Sequence, residues 1–179
     1  MIQRLVEDIR KALENNLLCV ALAASLALPD ICGKAEYPNE RSSRKRYIDW
    51  YDKEIGISEK NPFNTNGEEM PYLSGEIVYN LRCSFLHAGN PDIDNPGLRN
   101  SPPIDSFTIV LQKRNDWDFY PDSSSISDIG GQHRRSYQMS IRRFCMVLCD
   151  VAESYYRDNK SKFIFTYKVV DESNNDNNK

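Results

Sequence analysis

Residues 74–89 carry the sequence Ser-Gly-Glu-Ile-Val-Tyr-Asn-Leu-Arg-Cys-Ser-Phe-Leu-His-Ala-Gly. Ser74 is a predicted helix N-cap, because its hydroxyl can accept a hydrogen bond from the first turn. Glu76 follows in that turn, where a carboxylate suits the positive end of the helix dipole. Gly89 is the predicted stop. The segment therefore predicts a helix of about four turns, which we call the motif helix.

The two sides of the motif helix differ in polarity. At about 100° per residue, four polar residues share one narrow stripe: Glu76, Asn80, Cys83 and His87. Four apolar residues fill the opposite face: Ile77, Val78, Leu81 and Phe85. Arg82 breaks this pattern, because it projects into the apolar arc. A core-facing arginine must find a partner, extend to solvent or be held there for a purpose.

Arg82 and His87 are five positions apart, late in the motif helix. This Arg-x4-His pair, in the setting Leu-Arg-Cys-Ser-Phe-Leu-His-Ala-Gly at residues 81–89, resembles the HEPN family (higher eukaryotes and prokaryotes nucleotide-binding domains). The resemblance extends loosely over residues 1–158, and the motif helix is its specific part. It implies an antiparallel helical bundle, and a metal-independent endoribonuclease that acts as a toxin or defence component.

By this resemblance, Arg82 and His87 are the catalytic pair. The RNA 2′-OH would attack the adjacent phosphate and leave a cyclic phosphate and a 5′-OH. His87 would move protons, since an unperturbed imidazole has a pKa of about 6.5. Arg82 would stabilise the charge on the pentacoordinate phosphate with its planar fork of donors. The expected supporting residues lie on the His87 stripe: Glu76, Asn80 and Cys83.

Cys83 leaves a second interpretation open. Active members of the family commonly carry Asn, Asp or His directly after the arginine, whereas this chain has Cys83. The alternative is a non-catalytic HEPN-like module that binds a partner protein or RNA, with Arg82 and His87 at a subunit interface. The resemblance also suggests an antitoxin or another protein as a partner.

A homodimer is expected in the catalytic interpretation. Side chains five positions apart on an α-helix diverge by about 140°, so one helix does not aim both at one phosphate. In the family, two motifs meet across a two-fold interface and form one composite site. A partner subunit would also cover the apolar face that carries Arg82.

Composition limits the function further. At 179 residues and 40% hydrophobic content, the chain predicts one domain over residues 1–170, followed by a disordered polar tail at 171–179. The net charge of −3 gives no global attraction for nucleic acid, so RNA contacts must use local clusters. The candidate RNA-binding residues are Arg44, Lys45, Arg46, Arg134 and Arg135.

The five cysteines are irregularly spaced, and no secretory signal peptide is recognisable, which predicts reduced thiols in a cytoplasmic protein. Two cysteine-containing pairs have i,i+4 spacing: Cys83 with His87, and Cys145 with Cys149. No Cys-x-x-Cys knuckle supports a zinc site, so no metal or cofactor is expected. A thiol hydrolase is rejected because no oxyanion-hole motif or third catalytic member is evident.

The remaining periodicity predicts a mainly α protein: an antiparallel four- to five-helix bundle with a small two-stranded β appendage. Further helices are expected over 2–28, ending or kinking at Pro29, over 43–55, stopped by Gly56, and over 134–157. Strands are expected at 107–112 and 162–170, paired with each other, with loops at 57–71 and 123–131. The apolar run Leu17–Leu28 is twelve residues long, too short to span a bilayer, so no membrane partner is expected.

Overall fold

A computed structural model describes residues 2–60, 67–88, 104–111, 122–129 and 132–164. The described chain is mainly α-helical and carries one small sheet, as the sequence predicted. The α-helices are α1 (Ile2–Glu14), α2 (Leu18–Ser25), α3 (Leu28–Glu36), α4 (Ser43–Tyr51), α5 (Ile57–Glu59), α6 (Gly75–Cys83) and α7 (Ile141–Asp158). The predicted stop at Gly89 and the predicted tail at 171–179 lie outside the described residues.

The first helical region is three helices rather than one over 2–28. The break between α1 and α2 falls at Asn16, which adopts a left-handed φ of 57° that asparagine tolerates better than most residues. The sequence predicted that the helix ends or kinks at Pro29, whereas α2 already ends at Ser25 and Pro29 lies in the first turn of α3. Its missing N–H and fixed φ suit that position, because the first helical N–H groups have no intrahelical partner.

The second helix begins as predicted and continues further. The Ser42 side chain accepts a hydrogen bond from the Lys45 N–H and caps α4. The predicted stop at Gly56 is wrong, because the chain passes through a π-helical segment, Asp52–Gly56, and on into α5. Part of the predicted 57–71 loop is therefore helical.

The sheet has three strands rather than the predicted two: β1 (Ser106–Val110), β2 (Ser123–Ile129) and β3 (Gln132–Ser140). Their order is β1-β3-β2, with β1 parallel and β2 antiparallel to β3. The predicted linker at 123–131 is thus largely a strand. The first part of the predicted 134–157 helix is also a strand, in which Tyr137 and Met139 alternate inward with a period of two.

Helix α7 starts later than predicted, at Ile141, where the Ser140 hydroxyl accepts a hydrogen bond from the Arg143 N–H. Within α7, Met146 is 41% exposed. The predicted pairing of strands 107–112 and 162–170 is wrong for the described residues, since β1 pairs with β3 and Lys160–Lys162 is a 3-10 turn. Residues 165–170 lie outside the described chain.

The residues that support the motif helix are aromatic. Helix α4 packs between α3 and α6, and its Tyr47, Trp50 and Tyr51 are almost completely buried. Trp50 meets Tyr155 of α7 edge to face, with ring centroids 5.6 Å apart. These contacts fix α3, α4 and α6 as one packed unit in the described fold.

Among the described residues, one stretch, Leu18–Glu36, is long and apolar enough to cross a membrane by length and composition, with a mean hydropathy of 1.5. It contains α2 and α3, so the helical apolar stretch is longer than the twelve residues counted in the sequence. Of the tested window, 56% is buried inside the fold. The core helix of a soluble protein passes the same test, so the stretch is compatible with one.

Candidate functional site

The motif helix corresponds to α6, and its start is fixed by two caps. The Ser74 hydroxyl accepts a hydrogen bond from the Ile77 N–H, as the sequence predicted. A second cap comes from α4's continuation, where Asp52 Oδ1 accepts the Gly75 N–H at 2.6 Å. Burial raises the pKa of Asp52, and the Gly75 N–H opposes that effect. The local and the tertiary cap together hold α6 against α4.

Arg82 finds its partner within the same chain. Its Nη2 lies 2.6 Å from Asp30 Oδ2 on α3. Its Cζ lies 6.0 Å from the Tyr47 ring centroid and 5.9 Å from that of Tyr79, within cation–π range. The guanidinium therefore extends from the apolar arc of α6 past the Tyr47 and Tyr79 rings to Asp30, and the side chain keeps 24% of its surface exposed.

Burial raises the pKa values of ionisable residues next to Arg82. Desolvation raises the pKa of Asp30, and the Arg82 charge opposes this shift. Tyr47 is fully buried, its pKa is raised well above 10 by desolvation, and its hydroxyl donates to the Leu26 carbonyl at 3.2 Å. Arg82 Nε is buried and has no hydrogen-bond partner among the residues that the structure describes. The guanidinium is thus charge-compensated by Asp30 and hydrogen-bonded to the Cys83 side chain, and Nε is its one unpartnered buried atom among the described residues.

The winding of the motif helix changes between Arg82 and His87. Residues Gly75–Cys83 are α-helical, and Ser84–Ala88 form a π-helical segment. The i→i+5 hydrogen bonds of π-winding place more residues in each turn, so each residue advances through a smaller angle. The backbone of position 87 therefore lies closer in angle to position 82 than the about 140° of a straight α-helix. The His87 imidazole itself lies outside the described part of the structure.

The three supporting residues have separate surroundings. Glu76 Oε1 accepts from Arg44 Nη2 at 2.5 Å. Asn80 Nδ2 is buried and has no hydrogen-bond partner in the described chain. Cys83 is half-buried beside Tyr79, whose pKa is raised first by burial and then by the nearby thiol. No described contact brings the three together into one cluster.

The cysteine pairs are not gathered into a metal site in the described chain. No group of three or more His, Cys, Asp or Glu residues there is arranged to hold a metal ion. Cys145 and Cys149 are buried on α7, and desolvation raises the pKa of each thiol to about 12. Thiols with so high a pKa are neutral and unreactive at physiological pH.

The basic cluster at the start of α4 is divided among different partners. Arg44 reaches across to Glu76 on α6. Lys45 Nζ lies 2.6 Å from Asp49 and 3.6 Å from Glu40, and Arg46 donates to the Glu40 carbonyl. The three cations therefore do not form one continuous basic surface.

The second basic pair lies on β3 rather than on a helix, which corrects the predicted placement. Arg134 is exposed. Arg135 Nε lies 3.1 Å from Asp105 Oδ2, and the Arg135 backbone N–H also donates to that oxygen. Arg135 thereby connects the sheet to the segment before β1, and no described contact connects either arginine with Arg82.

A separate charged cluster surrounds Glu36 at the end of α3. Its carboxylate accepts hydrogen bonds from Lys162, Lys53 and Tyr155, which lower its pKa to about 2. Lys53, Tyr155 and Lys162 also line an adjacent cavity of about 400 Å³. Through these three hydrogen bonds, Glu36 links α3 to the end of α4 and to the end of α7. This structural role accounts for the cluster.

Three residues of the site, Asp30, Tyr47 and Tyr79, were not predicted from the sequence. Asp30 carried a signal, since it is the first acidic residue after the apolar run Leu17–Leu28 and would be buried if that helix continued. Tyr47 and Tyr79 carried none beyond helical periodicity, because only the packing of α4 on α6 brings the two rings to 5.4 Å.

The cluster around Arg82 has the chemistry of an anion site. A guanidinium carries five N–H donors. Asp30 contacts Nη2 and the Cys83 side chain also hydrogen-bonds to Arg82, while the 24% of the side chain that is exposed can meet a phosphate. Comparison of the chain with protein-family models, curated proteins and solved structures found no match.

Proposed function

We propose that this chain is a metal-independent endoribonuclease of the HEPN type, with Arg82 and His87 as its catalytic pair and its helices arranged as an antiparallel bundle. The observation that carries the proposal is the π-helical segment that begins between the two residues. π-Helical turns occur frequently at functional sites, and this one brings position 87 closer in angle to Arg82. The partial exposure of the Arg82 side chain, 24%, adds support because a phosphate can approach it.

In the proposed reaction, the 2′-OH of RNA attacks the adjacent phosphorus and the bond to the 5′-oxygen breaks. One proton leaves the 2′-OH and one is delivered to the departing 5′-oxygen, so no water or metal ion is consumed. His87 transfers these protons, since an imidazole with a pKa of about 6.5 both accepts and donates near neutral pH. Arg82 stabilises the extra negative charge on the pentacoordinate phosphate.

The decisive experiment is incubation of purified protein with mixed RNA in the presence of a chelator. The wild type is expected to cleave and to leave cyclic phosphate ends, and His87→Ala is expected to be slower by about 100-fold or more. Products are followed by gel electrophoresis, and end groups by mass spectrometry. A chelator-insensitive activity that depends on His87 supports the proposal.

The control for this experiment is the melting temperature of His87→Ala. A proton-transfer residue near a helix end contributes little packing, so the variant is expected to melt close to the wild type. If cleavage and melting temperature fall together, His87 is structural. If neither protein cleaves any RNA, the ribonuclease proposal fails.

A composite site formed by two copies is part of the proposal. The π-winding reduces the angular separation of positions 82 and 87 without removing it, so a second motif helix is needed to complete a symmetric site. The partly exposed side chain of Arg82, with 24% of its surface accessible, is the part of the motif helix that a second copy would approach. The arginine's place on the apolar arc needs no partner subunit, because Asp30 accounts for it.

Size exclusion with light scattering is expected to give about twice the chain mass of 20.7 kDa at tens of micromolar. Dilution into the nanomolar range should lower specific activity in step with dissociation, because each site needs both copies. A strictly monomeric protein that still cuts RNA would rule out the composite site and leave the ribonuclease intact.

The second candidate function is a non-catalytic HEPN-like module that binds RNA or a partner protein. The Arg82–Asp30 pair favours this function, because the cation that catalysis requires is already paired with a carboxylate. Cys83, which follows the arginine in place of a polar residue, points the same way. RNA binding without cleavage in the assay above would select this function.

A further inference from the structure

Arg44 differs from its basic neighbours in the partner that its side chain contacts. Lys45 and Arg46 are bound within α4 and the loop before it. Arg44 instead crosses to α6, where Nη2 meets Glu76 Oε1 at 2.5 Å. Its Cζ also lies 5.7 Å from the ring centroid of Tyr79.

Tyr79 thereby contacts two arginines. Arg82 Cζ lies 5.9 Å from the same ring centroid, so Arg44 and Arg82 are separated by no more than the sum of these two distances. One strand of a nucleic acid carries a phosphate about every 3.4 Å along the duplex axis, so this upper limit spans at most a few consecutive phosphates. The tyrosine fixes the interval between the two cations, because Tyr47 packs edge to face against it at 5.4 Å.

We infer that Arg44 is a second phosphate-binding group of the Arg82 site. The ligand is a single-stranded RNA that places its scissile phosphate on Arg82 and a neighbouring phosphate on Arg44. This inference rests on the proposed ribonuclease function. In this model Arg44 acts apart from the rest of the basic cluster, and Glu76 holds Arg44 rather than the His87 imidazole.

Energetics permit Arg44 to accept a phosphate. The Arg44 side chain is 51% exposed, and an exposed ion pair such as that with Glu76 contributes little net free energy. The planar fork has enough donors to keep Glu76 on one edge and bind a phosphate on another. Exposed guanidinium planes also stack on unpaired bases, which favours a single strand over a duplex.

The test compares short RNAs that differ by one phosphate. The substrates are dinucleotides with one phosphodiester bond and the same dinucleotides with an additional 5′- or 3′-terminal phosphate. For the wild type, the added phosphate at one end is expected to lower KM by roughly five- to tenfold with little change in kcat, because it adds binding away from the reacting atoms. In Arg44→Gln this gain is expected to disappear.

Two control variants make the result specific. Arg4→Gln removes an exposed arginine that is paired with Asp8 on α1, and it should keep the full gain from the added phosphate. Lys45→Gln discriminates between two models. If the whole basic cluster binds the phosphate, Lys45→Gln should lose the KM gain as Arg44→Gln does. If Arg44 and Arg82 alone form the site, Lys45→Gln should keep that gain. Melting temperatures establish that each variant is folded.

The outcomes separate the inference from the function on which it rests. If the wild type cleaves RNA and Arg44→Gln keeps the gain, or Lys45→Gln loses it equally, the inference is wrong and the ribonuclease stands. If the wild type cleaves no RNA of any length, both fail. Binding of 2′-deoxy analogues, which cannot be cut, gives the same phosphate comparison without catalysis.

Discussion

Arg82→Ala is expected to lower RNA cleavage by about 10²- to 10³-fold and to destabilise the fold by about 1–3 kcal/mol at pH 7. In the proposed reaction, the loss of activity follows from removing the cation that stabilises the phosphate. The loss of stability follows from leaving Asp30 without its guanidinium. Breaking a fully buried pair costs about 3–5 kcal/mol, and the smaller figure applies because Arg82 and Asp30 remain 24% and 28% exposed.

The destabilisation of Arg82→Ala should decrease as the pH is lowered. Burial already raises the pKa of Asp30 above 3.8 in the folded protein, and removing Arg82 removes the main opposing influence. The folded variant then binds a proton more tightly than the unfolded chain, so its stability rises as the pH falls from 7 through the folded pKa. The difference from the wild type should be smallest below 3.8, where Asp30 is protonated in both states.

Denaturant unfolding at pH 7, 5 and 4 measures this effect. The matched control is Arg82→Ala combined with Asp30→Asn, which removes the orphaned charge and should recover much of the stability without recovering cleavage. Such a cycle isolates the interaction between the two residues. A pH-independent loss of stability in Arg82→Ala would show that the arginine acts through packing on Tyr47 and Tyr79 and not through Asp30.

Features that are local in sequence were predicted well. The N-cap Ser74, the start of α4 at Ser43 and the strand at 106–110, predicted at 107–112, each depend on a few adjacent residues. The anomaly of Arg82 was also visible, because one charged residue in an apolar arc breaks the helical period. Local patterns therefore identified the motif helix and the residue in it that most needs a partner.

Features that depend on distant residues were not predicted. Asp30 is 52 positions from Arg82, and nothing local states that α3 and α6 meet across Tyr47. The predicted sheet was wrong because β3 and α7 follow each other without a loop between them. The spacing of their buried residues changes from two to 3.6 at Ser140, and the whole segment was predicted as one helix. The serine-rich β2 has few apolar residues and resembles a linker until it pairs with β3.

Gly75→Ala is expected to destabilise the protein by about 2–3 kcal/mol, although alanine is the better helix former by about 1 kcal/mol. A Cβ at Gly75 would lie 2.7 Å from the Ile48 carbonyl oxygen and 3.0 Å from its Cα. These are backbone atoms of α4, so they cannot rotate away and the two helices must separate. That separation would also weaken the Asp52 cap on Gly75.

Gly56→Ala is the comparison for Gly75→Ala, because its new Cβ would meet the Asp52 side chain and not the backbone of α4. It would displace Asp52 Oδ1 and so disturb the cap on Gly75 without forcing the two helix backbones apart. It should cost less, and Gly33→Ala should behave like Gly75→Ala, since its Cβ would lie 2.6 Å from the Arg46 carbonyl oxygen. Thermal melts rank the three variants. Arg44 lies on α4, whereas Tyr79 and Arg82 lie on α6, so separating the two helices should also remove the KM gain from the added RNA phosphate. Wild-type stability in Gly75→Ala would show that α4 and α6 are not in close contact, and the shared site built on that contact would then have to be abandoned.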